Sequence, residues 1–204
     1  MSDNTFYMET MINQSAEFTF RYESYGFGCA TIKMSTCKQN VIFDASYIGV
    51  NPIEDMLETL AETVCDNYDD CQLFWSSEPG TLRVTIEKEE SNAHILVDEF
   101  DQDIDYRKVN DAQWVRMIDT VIPLMQLVDV VIKEAERNLK LHGLVGFSED
   151  WCDHTDVFPL SAYLRLKGIG YECGDDNLRK SSLEEELQLL SGLLKKGNED
   201  AITE

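Results

Sequence analysis

The tripeptide Cys152-Asp153-His154 contains the residue types that could carry out covalent or metal chemistry. A nucleophilic cysteine needs a base and an orienting group close in space, and a protein zinc site needs about four ligands. Adjacent residues in an irregular stretch point in different directions, and only His142 and Cys173 offer completions of a metal site. A metal- or thiol-dependent hydrolase using Cys152 and His154 is therefore an alternative hypothesis. We assign no catalytic residue, no metal ligand and no cofactor.

Two other polar stretches imitate known site motifs. Residues 101–105, Asp-Gln-Asp-Ile-Asp, open like a calcium-binding loop. An EF-hand then requires glycine at the sixth position and glutamate at the twelfth, where this chain has Tyr106 and Ala112. Residues 77–80, Ser-Glu-Pro-Gly, place a carboxylate beside aromatic residues, but a turn between two strands explains all four. Neither stretch identifies a site.

The most distinctive feature of the sequence is its excess of acidic residues. The chain has 17 basic and 39 acidic residues, a net charge of −22. Such a charge disfavours nucleic acid and anionic membranes as partners and favours a basic protein. The acidic residues fall mainly in predicted loops near aromatic side chains, which suits electrostatic steering and anchoring. The other explanation is solubility alone, with the aromatic rings turned inward. The candidate partner-binding residues are Asp66, Asp69, Asp70, Asp101, Asp103, Asp105 and Trp151.

The cysteine pattern and the hydropathy indicate the cellular setting. The first residues lack the basic and apolar regions of a secretory signal. The most apolar window, 121–132, is short for a membrane span and contains Gln126 and Asp129. Six cysteines without a Cys-x-x-Cys pair are typical of reduced thiols in a chain with a substantial core. We expect a cytoplasmic protein with no membrane partner.

The first half of the chain predicts strands on either side of one helix. Asn51 is a favourable N-cap and Pro52 a favourable first helical residue, and apolar residues then recur at helical spacing, so we predict a helix over 51–68. Alternating apolar and polar residues predict strands from 16 onward and over 29–36, 41–48, 71–76, 82–88 and 93–100. Short turns between them imply antiparallel pairing. The predicted fold class is α+β, with an antiparallel sheet from two three-stranded meanders around one helix, followed by a helical C-terminal half.

The second half of the chain predicts helices. We place a strand-rich core at 1–105 and a helical half at 106–204, packed together as one compact domain. A long helical segment is predicted over 112–141, with a kink or a division into two helices at Pro123, and it ends before Gly143. Residues 145–158 are predicted to be irregular, and a short helix follows at 160–167. The last helix begins with a capping box at Ser182.

The final helix carries a narrow row of leucines, Leu183, Leu187, Leu190 and Leu194, which we call the leucine seam. Its spacing is typical of a coiled-coil stripe, although two heptads are too few to define one. Packing on the protein's own core is one interpretation. A homodimer through the leucine seam is the other, and it gives a third hypothesis of an oligomeric structural protein.

The pattern also resembles a known class of proteins. The stretch 46–52 (Ser-Tyr-Ile-Gly-Val-Asn-Pro), the helix after it and the Glu78-Pro79-Gly80 hairpin are similar to those of small acidic bacterial proteins with a meander–helix–meander core. Immunity proteins of bacterial toxin systems are among these. The resemblance covers roughly 18–100 and implies binding to and blocking of a toxin, such as a basic nuclease. It carries over no functional residue. Our leading hypothesis is a non-enzymatic binding protein that neutralises a basic protein partner.

Overall fold

The computed structural model describes residues 17–46, 50–77, 79–100, 113–150, 157–173 and 179–196. The first sheet is a meander of three antiparallel strands in the order β1-β2-β3, namely β1 Thr19–Gly26, β2 Cys29–Ser35 and β3 Asn40–Ala45. Its apolar positions alternate with polar ones, so one face is buried and the other is exposed. The predicted inward aromatic side chains of Phe20 and Tyr22 are buried.

The first helix, α1 (Pro52–Ala61), has the predicted N-terminus. The Asn51 side chain accepts a hydrogen bond from the Ile53 backbone N–H at 3.2 Å, and Pro52 occupies the first turn. The helix ends earlier than predicted, because Glu62–Asp66 form a π-helical turn that Asn67 closes in a left-handed conformation. Its apolar face packs against the two helices that begin at Leu124 and Leu160 and against the second sheet.

The second sheet has four antiparallel strands in the order β4-β5-β6-β7. The strands β4 Asp70–Ser76, β5 Thr81–Glu89 and β6 Asn92–Phe100 form the predicted second meander. Leu73 lies opposite Val84, and Val84 lies opposite Val97, so these side chains share the buried face. Phe20 of the first sheet contacts Trp75 of the second, with ring centroids 6.5 Å apart. Buried residues of both sheets and three helices form one hydrophobic cluster.

The prediction of a helix over 112–141 was wrong for the first part of this range. Strand β7 (Val115–Pro123) pairs with β6, and helix α2 begins only at Leu124. Ile118 and Ile122 are both buried, and their spacing of four residues suits a helix face and a strand face equally. Pro123 ends the strand instead of kinking a helix, since a proline is tolerated at the end of an edge strand.

The remaining elements are helical apart from one small hairpin. Helix α2 (Leu124–Asp150) is interrupted at Gly143, where φ is +68°, and then continues through residues predicted to be irregular. The short helix α3 (Leu160–Leu166) confirms its prediction. The two-residue strands β8 (Glu172–Cys173) and β9 (Arg179–Lys180) form the hairpin, and helix α4 (Leu183–Lys196) follows. The Ser182 hydroxyl caps α4 by accepting the Glu185 N–H at 3.3 Å.

The α+β fold class and the two meanders are therefore confirmed. The meanders form two separate antiparallel sheets instead of one, and the second sheet gains a fourth strand. Within the described ranges, no helix combines the length and the apolar character that a membrane crossing requires.

Candidate functional site

The loop between α1 and β4 presents acidic side chains at one end of the second sheet. Asn67 reverses the chain there with φ of +61°. Lys88 of β5 then holds the loop: its backbone N–H donates to the Asp69 carbonyl at 2.6 Å, and its ammonium group donates to the Asn67 side-chain oxygen at 2.5 Å. Tyr68 lies between these anchored residues with 56% of its surface exposed. The loop is thus fixed while its side chains face solvent.

The next two strands bring further carboxylates to the same end. Asp70 at the start of β4 lies directly opposite Glu87 of β5, and Glu87 lies opposite His94 of β6. Glu89 follows Glu87 on the same face of β5. Glu90 lies in the two-residue turn to β6 with φ of +56°. We call Asp69, Asp70, Glu87, Glu89, Glu90 and Asp119 of β7 the acidic end of the second sheet.

His94 lies at the centre of the acidic end. Its Nε2 lies 2.9 Å from Asp119 Oδ1, and its Nδ1 lies 3.2 Å from Glu87 Oε2 and 4.0 Å from Glu89 Oε1. The hydrogen bond to Asp119 is the main cause that raises the pKa of His94, and the same bond lowers the pKa of Asp119. The imidazolium form is favoured because three carboxylates surround it.

The other carboxylates of the acidic end have little compensation by positive charge. Among the described residues, Asp69, Asp70 and Glu90 form no ion pair with an arginine, lysine or histidine. Carboxylates placed directly opposite each other on paired strands repel and cost stability, and Asp70 and Glu87 are such a pair. The acidic end is therefore a negatively charged surface that folding alone does not favour.

The structure brings together some of the sequence-predicted site residues. Asp69 and Asp70 belong to the acidic end. Asp66 lies beside them, but its carboxylate accepts a hydrogen bond from Arg165 Nη2 of α3 at 2.7 Å, so its charge is partly compensated. The other four predicted residues, Asp101, Asp103, Asp105 and Trp151, lie outside the described residues.

Sequence reasoning missed His94, Asp119 and the glutamates of β5 as members of one site. Glu87 and His94 are equidistant from the two-residue turn at 90–91, so a hairpin with that turn places them opposite each other. That signal was present in the sequence. The proximity of Asp119 to His94 was not predicted, because the segment that contains Asp119 was predicted to be helical. Only the pairing of β7 with β6 brings the two side chains together.

A second polar cluster lies further along the exposed face of the same sheet. The Asp98 carboxylate is buried and accepts hydrogen bonds from the guanidinium groups of Arg83 and Arg116. Arg83 also stacks over the Trp114 ring at 4.6 Å from its centroid. These residues line a shallow pocket of about 370 Å³. Because the two arginines are already bound to Asp98, the cluster is explained as a tie between β5, β6 and β7.

The residues of the alternative hypotheses are only partly described. Cys152 and His154 lie outside the described residues. His142, which was considered as a further ligand, is paired through Nδ1 with Asp150 Oδ2 at 2.9 Å.

The leucine seam of α4 is partly exposed. Leu190 packs against the core, while Leu183 and Leu187 are 66% and 54% exposed. The side chain of Leu194 lies outside what the structure describes.

Comparison with protein-family profiles, with characterised proteins and with solved structures finds no match to this chain.

Proposed function

We propose that this chain is a non-enzymatic binding protein whose acidic end binds a basic surface of another protein. The carboxylates opposed across β4 and β5, Asp70 and Glu87, carry the argument. Such a pair costs folding stability, and a positively charged partner would turn the cost into binding energy. The net charge of −22 would also speed the encounter with a basic protein.

The fixed loop at the acidic end supports the same proposal. Lys88 holds the Asn67 side chain and the Asp69 backbone, so little conformational entropy is lost when a partner binds. The exposed ring of Tyr68 offers an aromatic anchor among the acids, and tyrosine is one of the residue types that dominate binding energies in interfaces. An arginine or lysine of the partner could contact both the ring and a neighbouring carboxylate.

The concrete form that we propose is neutralisation of a basic toxin, such as a nuclease, as in bacterial immunity proteins. The acidic end would cover the positively charged surface with which such a toxin holds its substrate. A cytoplasmic location fits this role and fits the four described free thiols, Cys29, Cys37, Cys65 and Cys71.

The experiment that tests the proposal is capture of partners from the native lysate at low and moderate salt with three forms of the chain. They are the wild type, the double variant Asp69→Lys/Asp70→Lys, and the control Glu184→Lys/Glu185→Lys. The control makes the same change in charge on α4, where both glutamates are exposed. We expect a basic protein to be retained by the wild type and the control, and at least about tenfold less by the acidic-end variant.

A growth assay tests separately whether the captured partner is a toxin. Expression of the captured partner alone should stop growth, and co-expression of the wild-type chain should restore it, whereas the acidic-end variant should not. Equal loss of capture by both charge-reversal variants would mean that net charge, and not the acidic end, drives association. An acidic or neutral partner would overturn the proposal.

The exposed part of the leucine seam supports a second proposal, that α4 pairs two copies of the chain. Leu183 and Leu187 present apolar surface that the described residues leave largely uncovered. Sedimentation of the wild type at tens of micromolar should then give the mass of two chains, and Leu183→Gln/Leu187→Gln should give the mass of one. A wild-type monomer would contradict this proposal and leave the acidic end unaffected.

A further inference from the structure

The hairpin at the acidic end holds three potential metal ligands in a fixed arrangement. Glu87 and Glu89 point to the same side of β5, and His94 lies opposite Glu87 on β6. One ligand atom from each side chain lies within 4.8 Å of the others. The separations from His94 Nδ1 are 3.2 Å to Glu87 and 4.0 Å to Glu89. Ligands of a tetrahedral zinc ion lie about 3.3 Å apart, so small side-chain adjustments would close the set around one ion.

A separate strand supplies the group that orients the imidazole. Asp119 of β7 binds His94 Nε2 at 2.9 Å, which leaves Nδ1 directed at the two glutamates. Asp119 is itself held, because Arg116 donates to its carboxylate at 3.3 Å and its backbone N–H donates to the Gln39 side chain at 3.1 Å. Histidines that bind metals commonly donate their second ring nitrogen to a carboxylate in this way.

We propose that Glu87, Glu89 and His94 bind a divalent transition-metal ion of the Zn²⁺ class, with Asp119 as the positioning residue. A histidine with two carboxylates suits zinc better than calcium or magnesium, which prefer sets of oxygen ligands. Three protein ligands leave one position for water or for a group from a partner. The carboxylates of Asp70 and Glu90 nearby further raise the local concentration of cations.

The competing explanation is a network of ion pairs in which the imidazolium alone balances the acids. Zinc titration followed by calorimetry in the absence of any partner separates the two explanations. The proteins to compare are the wild type, His94→Gln, Glu89→Gln, Asp119→Asn and the control Glu185→Gln. The control removes one exposed carboxylate from α4, away from the hairpin.

We expect the wild type to bind one zinc ion that His94→Gln loses, with an affinity at least about tenfold weaker in Glu89→Gln. Asp119→Asn should weaken zinc by about 10–100-fold, the effect typical of groups that orient a ligand, and Glu185→Gln should change it by less than about twofold. In proton NMR spectra, substoichiometric Co²⁺ should broaden the ring signals of His94 before those of the other two histidines.

Two results would overturn the metal site. One is zinc binding by His94→Gln equal to that of the wild type, which would place the ion on exposed thiols or on acids elsewhere. The other is no stoichiometric binding at about 100 μM zinc. Because the titration uses the chain alone, failure of the metal site leaves the partner-binding proposal standing, and the converse also holds.

Discussion

At the scale of single residues, Asp55 connects the first helix to the second sheet and has an unusual proton affinity. Its Oδ2 accepts a hydrogen bond from Trp75 Nε1 at 3.0 Å. Burial raises the pKa of Asp55 to about 6, although the bond from Trp75 acts in the opposite direction. A carboxyl group whose pKa is higher in the folded state stabilises the fold when protonated. That contribution is complete below pH 4 or so and is lost as the pH rises through about 6.

We therefore expect Asp55→Asn to remove a pH dependence. Asparagine keeps an oxygen that can accept the Trp75 N–H but cannot ionise. Relative to the wild type, the variant should gain roughly 2 kcal/mol in free energy of unfolding between pH 4 and pH 7. Urea denaturation at several pH values measures this difference. Asp129→Asn, at an exposed position of α2, is the matched control. Parallel pH profiles for Asp55→Asn and the wild type would contradict the prediction.

At the scale of elements, side chains of helix α2 complete the edge of the first sheet. The buried Glu134 carboxylate accepts the Tyr22 backbone N–H at 2.8 Å, and Arg137 Nη2 donates to the Tyr22 carbonyl at 2.6 Å and to Glu134 at 2.6 Å. The Glu134 carboxylate also raises the pKa of Arg137. Strand β1 is an edge strand of its sheet, and these contacts satisfy backbone groups that would otherwise be available for intermolecular pairing.

Removal of the Glu134 carboxylate should be among the most destabilising single substitutions on α2. In Glu134→Ala the Arg137 guanidinium loses its charged partner and the Tyr22 N–H loses its acceptor, so we expect the free energy of unfolding to fall by about 3–5 kcal/mol. The neighbouring exposed residue provides the control, since Lys133→Ala should change it by less than about 0.5 kcal/mol. Chemical denaturation measures both, and a similar small effect of the two variants would show that the buried contacts are replaceable.

A substitution in the strand pair at the acidic end should have opposite effects on stability and on partner binding. Asp70→Lys places a positive charge directly opposite Glu87, so repulsion becomes attraction and the free energy of unfolding should rise by about 0.2–1 kcal/mol. The same variant should bind a basic partner more weakly. Asp44→Lys, at an exposed position of β3, is the control for charge alone. A variant that is both less stable and unchanged in binding would remove the basis of the proposed site.

Sequence reasoning worked where a local signal and the tertiary structure agreed. Asn51 and Pro52 specify the start of α1 by local geometry, and alternation of apolar and polar residues between short turns specifies β1 to β6. It failed at β7, because Ile118 and Ile122 fit two periodicities and only pairing with β6 decides between them. The acidic loop was recognised from composition. Its assembly with Glu87, His94 and Asp119 depends on strand order, which local pattern does not contain.

At the scale of the whole molecule, the described arginines mainly form ion pairs within the fold, and Asp119 is the one carboxylate of the acidic end that pairs with a described arginine, Arg116. Arg83 and Arg116 share Asp98, Arg137 binds Glu134, and Arg165 binds Asp66. Each of these pairs joins different elements or stabilises α2, so the arginines serve the fold. The excess of negative charge is left on surfaces that include the acidic end. Self-repulsion should therefore limit the stability of the folded state at neutral pH.

This repulsion predicts a stabilising effect of salt that depends on pH. Raising sodium chloride from about 0.02 to 0.5 M shortens the screening length from above 20 Å to below 5 Å, so it should weaken repulsion more than the short, partly buried ion pairs. We expect the free energy of unfolding at pH 7.5 to rise by roughly 1 kcal/mol, equivalent to ~2–4 °C in melting temperature. The isoelectric point, near 4.3, provides the control, since without net charge the gain should vanish. The same gain at both pH values would mean that salt acts through burial of apolar surface, and salt-induced destabilisation at pH 7.5 would mean that the ion pairs outweigh the repulsion.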